Sequence, residues 1–183
     1  MKFFTYQLVA SANDWIQQTE EEQLQSEKLF WAAAEAYERQ LEGLRSRVSG
    51  PAWDFFRHGF GHDGLHDARL VLLSVGDGIY LVSDGSFSLS TNRRVATAKV
   101  EFLNREQDLH YTFDMRGVSR LQCDLFGEGT PHAGNIGDLY TYELTSTDDE
   151  NLELGLLFAS GATVTVQFRR LVFRKRRIKS GKD

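Results

Sequence analysis

The chain is nearly devoid of cysteine: one thiol, Cys123, stands among 183 residues. No intrachain disulfide framework can brace it, and Leu121-Gln122-Cys123-Asp124-Leu125 reads as a strand carrying a buried, inert thiol rather than a nucleophile. Long apolar runs are also missing, since no segment approaches the roughly 20 continuous apolar residues of a membrane helix. Met1 to Ala12 mimics a signal peptide with one lysine and an Ala-x-Ala ending, but Thr5, Tyr6 and Gln7 interrupt its apolar stretch, so an amphipathic strand is the reading. A soluble, cytoplasmic protein is expected. The glycine-rich stretch 127–138 lacks the lysine and hydroxyl residue of a phosphate-cradling loop and reads as a mobile surface loop. The acidic stretch 145–151 lacks the ligand spacing of a calcium loop and reads as a solvated hairpin tip. No serine, cysteine or lysine stands in a recognisable nucleophile context, and no cofactor is implied.

What the chain does have is 41% hydrophobic and 12% aromatic residues, enough for one core at this length. Ser11 with Asp14, and Thr19 with Glu22, match capping boxes that open a short and a long helix. Along the long one, Leu24, Phe30, Ala34, Tyr37, Leu41, Leu44 and Val48 step mostly by three or four and form a packing stripe. Ser49-Gly50-Pro51 stops that helix and starts another, anchored by Trp53, Phe56 and Phe60 and ended by Gly59, Gly61 and Gly64. Beyond Leu65 the chain reads as strands. Gly76-Asp77-Gly78 and Ser83-Asp84-Gly85-Ser86 read as hairpin connections, and further strands are expected at 95–102, 109–115, 119–125, 139–144, 152–159 and 163–173. With no helical pattern between strands, the expected class is α+β: N-terminal helices packed on an antiparallel β-sandwich or open barrel. The expected division is a helical segment 1–64, which can include a first short strand, an antiparallel β domain 65–179 and a flexible basic tail 180–183, all one structural unit.

Residues 58–67 concentrate three of the five histidines with two aspartates. His58, His62 and His66 recur every four residues, a spacing that aligns imidazoles for zinc or iron on a helix, with Asp67 as a carboxylate ligand and Asp63 as a general base. That set defines a metal-dependent hydrolase as the alternative function. Three glycines oppose a helix there, so the favoured reading has no metal and uses His66 or Asp67 to fix the turn before the first strand, by hydrogen bonding to backbone amides.

Charge is lopsided. Residues 169–183 hold eight basic side chains against Asp183 alone, a balance of +7, which leaves −12 on the first 168 residues of a chain with net charge −5. The basic run reads as a strand whose outward face pairs with the acidic helices. Nucleic-acid binding through it is disfavoured, because no aromatic-basic platform accompanies it and the pI is acidic.

The N-terminal helical segment, the Leu65-His66-Asp67-Ala68-Arg69-Leu70 lead-in and the late hairpin Leu156 to Phe168 together resemble an uncharacterised bacterial family of unknown function. More distantly they resemble immunity proteins of bacterial toxin systems. The resemblance implies a helix-plus-β fold and carries no catalytic residues. The expected function is a non-catalytic protein-binding module, immunity-like, whose acidic body recognises a basic protein partner, with Asp148, Asp149 and Glu150 as binding residues.

Overall fold

The computed structural model describes residues 1–12, 18–58, 64–76, 80–81, 87–88, 95–124 and 137–178. Along them run α1 (Tyr6–Ala12), α2 (Glu20–Glu42) and α3 (Gly50–His58). The strands follow: β1 (Arg69–Gly76), β2 (Tyr80–Leu81), β3 (Phe87–Ser88), β4 (Thr97–Leu103), β5 (Leu109–Arg116), β6 (Arg120–Asp124), β7 (Leu139–Ser146), β8 (Leu152–Phe158), β9 (Thr163–Phe168) and β10 (Arg170–Arg177). The class is α+β. One four-stranded sheet has the order β1-β4-β5-β10, a second has the order β6-β9-β8-β7, and β2 pairs with β3 alone. Every pairing is antiparallel, and neither four-stranded sheet closes into a barrel.

Alternation builds both sheets. Ala98, Val100 and Phe102 of β4, Tyr111, Phe113 and Met115 of β5, and Val164, Val166 and Phe168 of β9 are all buried, and they join one hydrophobic core with the helices. Thr19 caps α2 as expected: its hydroxyl accepts from the Glu22 amide, and the Glu22 carboxylate accepts from the Thr19 amide. Toward its C-terminal end α2 buries Tyr37 and Leu41, followed by Leu44 just beyond it. The next helix, α3, brings Phe55 between the sheets, stacked on Phe173 of β10 at 4.4 Å and on Tyr142 of β7 at 5.4 Å.

Several local expectations give way. The N-terminal stretch contains a helix, α1, rather than an amphipathic strand, and Ser11 lies inside that helix instead of capping another. Among the described residues β1 takes β4 as its neighbour and β2 pairs with β3, while Asp77 and Gly78 of the expected hairpin connection lie outside the described residues. The predicted last strand is two. It breaks at Arg169, where β9 ends in the second sheet and β10 begins in the first. Phe60, Gly59, Gly61, most of the 127–138 loop and the tail 180–183 lie outside the described residues.

The two edges of the second sheet differ. All but the last residue of β7 is buried, and its edge is occupied. Leu139 exchanges backbone hydrogen bonds with Asp67 and Ala68 at 2.9 and 2.7 Å. Glu143, 1% exposed, accepts the amides of Lys2, Phe3 and Phe4. Gly155 on β8 makes room for this N-terminal strap: a Cβ there would stand 2.6 Å from the Met1 sulfur. At the opposite edge every residue of β6 is exposed.

Candidate functional site

The histidine cluster divides. His58 is the exposed last residue of α3, while His62 and Asp63 lie outside the described residues. His66 and Asp67 share a turn. Asp67 adopts a left-handed conformation (φ 62°), which aspartate tolerates better than most side chains, and donates its amide to the Leu139 carbonyl. Among the described residues its carboxylate meets side chains, where backbone amides were the expected partners in this turn. One oxygen lies 3.1 Å from His66 Nδ1 and the other 3.3 Å from an Arg105 guanidinium nitrogen. The Tyr140 ring sits 5.2 Å from the His66 ring, and burial, with the Asp67 charge second, pushes its hydroxyl up to about 12. Among the described residues no three His, Cys, Asp or Glu side chains gather as metal ligands.

The acidic tip is Asp148, Asp149 and Glu150, between β7 and β8. Asp148 is a turn former: its Oδ1 accepts from the amides of Glu150 and Asn151 at 2.8 and 2.7 Å, and Oδ2 accepts from Asn151 Nδ2 at 2.8 Å. These bonds, the Asn151 side chain foremost, hold its carboxyl below the ordinary value. The Glu150 carboxylate lies 3.3 Å from Arg169. Two of the three charges thus serve the fold.

The basic run finds other partners than the acidic helices. Arg174 pairs with Asp114 on β5, Arg177 lies 3.8 Å from Asp108, Arg169 pairs with Glu150, and Lys175 sits over the Tyr111 ring at 5.6 Å. On the outward face of the first sheet, His110 Nε2 is 3.1 Å from Glu101, and Lys99 bridges Glu101 and Asp114 at 3.5 and 3.9 Å. With Arg174 on β10, these contacts join three strands.

The feature the sequence reading missed is the first half of α2. Leu24 is 53% exposed and Trp31 65%, although Leu24 was assigned to the packing stripe. Seven residues apart, they share one face, where Glu20, Glu21, Glu27, Glu35 and the base Lys28 are among their helical neighbours at spacings of three or four. Trp31 is held edge-on against Phe30 at 5.8 Å, and Phe30 in turn packs on Phe4 at 5.7 Å. The helix carries seven glutamates against Lys28 and Arg39. A signal was present in the sequence: Leu24 and Trp31 stand well off the arc that Tyr37, Leu41 and Leu44 define.

No family model matches the chain, and neither a curated protein nor a solved structure matches it. Within the described residues no helix is long and apolar enough to cross a membrane.

Proposed function

We propose that this chain is a non-catalytic protein-binding module that docks a basic protein through the exposed face of α2. The observation that carries the reading is Trp31, largely exposed and in edge contact with Phe30, with Leu24 one heptad before it and a mainly acidic surround broken by Lys28. Tryptophan is enriched among energetically dominant contacts, in interfaces whose rim is polar. The acidic rim steers a basic partner and sets the association rate. A basic toxin of the kind that immunity proteins neutralise has this chemistry. Relative to the sequence reading, the docking residues move from the 148–150 tip to α2, because Asp148 and Glu150 are already engaged within the fold.

A photoreactive residue at position 31 tests this in the native cell. A basic protein should cross-link there, and Trp31→Ala should weaken its binding by roughly 30-fold, the scale of a hot-spot residue, with little change in melting temperature. Glu27→Lys with Glu35→Lys should slow association and remove its salt dependence. A partner that binds Trp31→Ala and wild type equally well overturns the assignment.

A further inference from the structure

We infer that β1 is a self-association edge, through which two copies of the chain pair antiparallel about Leu73 and join their first sheets into one. An edge strand presents backbone N–H and C=O groups that a second strand can satisfy, and proteins blunt such edges with charge, proline, a bulge or a cover. The two edges of the first sheet differ in this. The β10 edge carries Arg174, Lys175, Arg176 and Arg177 in succession, all exposed. By contrast β1 is uncharged from Leu70 to Gly76, and among the described residues only β4 pairs with that stretch. Three of its apolar side chains stand in solvent: Val71 and Val75 are each 53% exposed and Leu72 38%. A single bulge, at Val71, leaves Leu72 to Gly76 in unbroken register with β4.

What covers this stretch must be extended, apolar and uncharged, and β1 of a second copy is all three. To the basic partner proposed for α2 it offers no carboxylate of its own. The chain also fixes where the twofold falls. Before β1 it turns to the second sheet, with Ala68 bridged to Leu139 and Arg69 3.6 Å from Asp138, so the open stretch is Leu70 to Gly76 and its midpoint is Leu73. Centred there, Leu73 faces its own counterpart, Leu72 faces Ser74, and the exposed Val71 faces the exposed Val75 of the second copy. Leu72 and Ser74 stand beside Glu101 and Lys99 of β4, so each of these cross-strand rows has Glu101 of one copy at one end and Lys99 of the other copy at the other. Moving the centre to Leu72 lines Glu101 up with Glu101, and moving it to Ser74 lines Lys99 up with Lys99. These charges are about 14 Å apart, three interstrand spacings. That exceeds the Debye length at physiological salt, so they bias the register at low salt while apolar burial supplies the affinity.

Sedimentation of the full chain from the micromolar to the millimolar range tests this. An edge this short is a small interface, so wild type should dimerise weakly, with a dissociation constant on the order of tens of micromolar. Val71→Lys adds the kind of charge that blunts natural edges and should weaken the dimer roughly tenfold or more. Leu72→Lys should weaken it by roughly tenfold as well, and adding Ser74→Glu should restore most of that loss, because each new lysine then faces a glutamate of the second copy. All three positions are exposed, and unchanged melting temperatures will show that the variants fold. In a Cys123→Ser background, Leu72→Cys and Ser74→Cys chains mixed together should form the mixed disulfide on mild oxidation faster than either chain links to itself. A wild type that stays monomeric over this range, a Val71→Lys variant that dimerises as wild type does, or a Leu72→Lys/Ser74→Glu variant no tighter than Leu72→Lys alone overturns the proposal.

Discussion

The Leu144 amide on β7 donates to the hydroxyl of Tyr37, in the second half of α2, at 3.1 Å, so a side chain of the helix completes an edge of the sheet. Both residues are fully buried, and burial raises the Tyr37 hydroxyl well above its ordinary range, which keeps it neutral. Tyr37→Phe retains the ring contacts to Phe3 and Phe4 but strands the amide. The expected loss in a denaturant titration is about 1–3 kcal/mol, the cost of one unsatisfied buried group.

Glu143 holds the strap. Replacing it by glutamine exchanges a carboxylate that accepts three backbone amides for a group that is half donor. Glu143→Gln should cost about 1.5–3 kcal/mol, the scale of hydrogen bonds to a charged group. Chymotrypsin should then cut after Phe3, Phe4 and Tyr6 faster than in wild type, which a time course read by mass spectrometry will show.

Phe55 is the aromatic link between the sheets, touching Tyr111, Phe113 and Phe173 on one side and Tyr142 on the other. Phe55→Ala should destabilise by about 3–5 kcal/mol, with Phe55→Leu markedly milder because it fills part of the cavity. Urea melts with unchanged slope will confirm that stability alone has moved.

Two carboxyls on the surface contribute to the acid response. Asp148 is held below its ordinary value of 3.8 by the Asn151 side chain first, then by the Asn151 and Glu150 amides, and Glu22 is held below 4.5 by the Thr19 amide. A depressed folded-state value means that the stability each contributes is present above its ordinary value and lost as pH falls through the folded one. Stability should therefore decline below about pH 4. In a carboxyl NMR titration Asp148 should have its midpoint below 3.8, and Asn151→Ala should return it upward.

Removing 180–183 should leave the melting temperature unchanged, because every contact described above lies before it. Removing 169–183 takes away β10, and with it the neighbour of β5 and the ring stacked on Phe55. That truncation should not fold, as circular dichroism will report.

Strands were legible where alternation is strict: Thr163 to Phe168 predicts its burial residue by residue. The sheet change after it was written in the same letters, for the inward parity shifts from Val164, Val166 and Phe168 to Leu171 and Phe173, a slip of one position at Arg169. No glycine or proline marks it, so the run reads as continuous. Cys123 was placed correctly in a strand but not in its surroundings, because burial depends on which strand lies beside it and β6 is an edge. Pairings such as β1 with β4 and β5 with β10 are set by distant sequence that no local window contains. The candidate site was the least legible. Charge at 148–150 looks the same in sequence whether it faces a partner or, as at Asp148, satisfies its own turn.

The corner at Arg169 also orders events during synthesis. When β5 leaves the ribosome its neighbour β4 is already made, but its other edge stays open while the whole of β6 to β9 is translated. Only when β10 follows β9 is that edge covered, so the first sheet cannot be finished until the second has been. The nascent chain carries an apolar, half-paired sheet from the completion of β5 until β10 emerges, and the strand that closes it comes last of all those described.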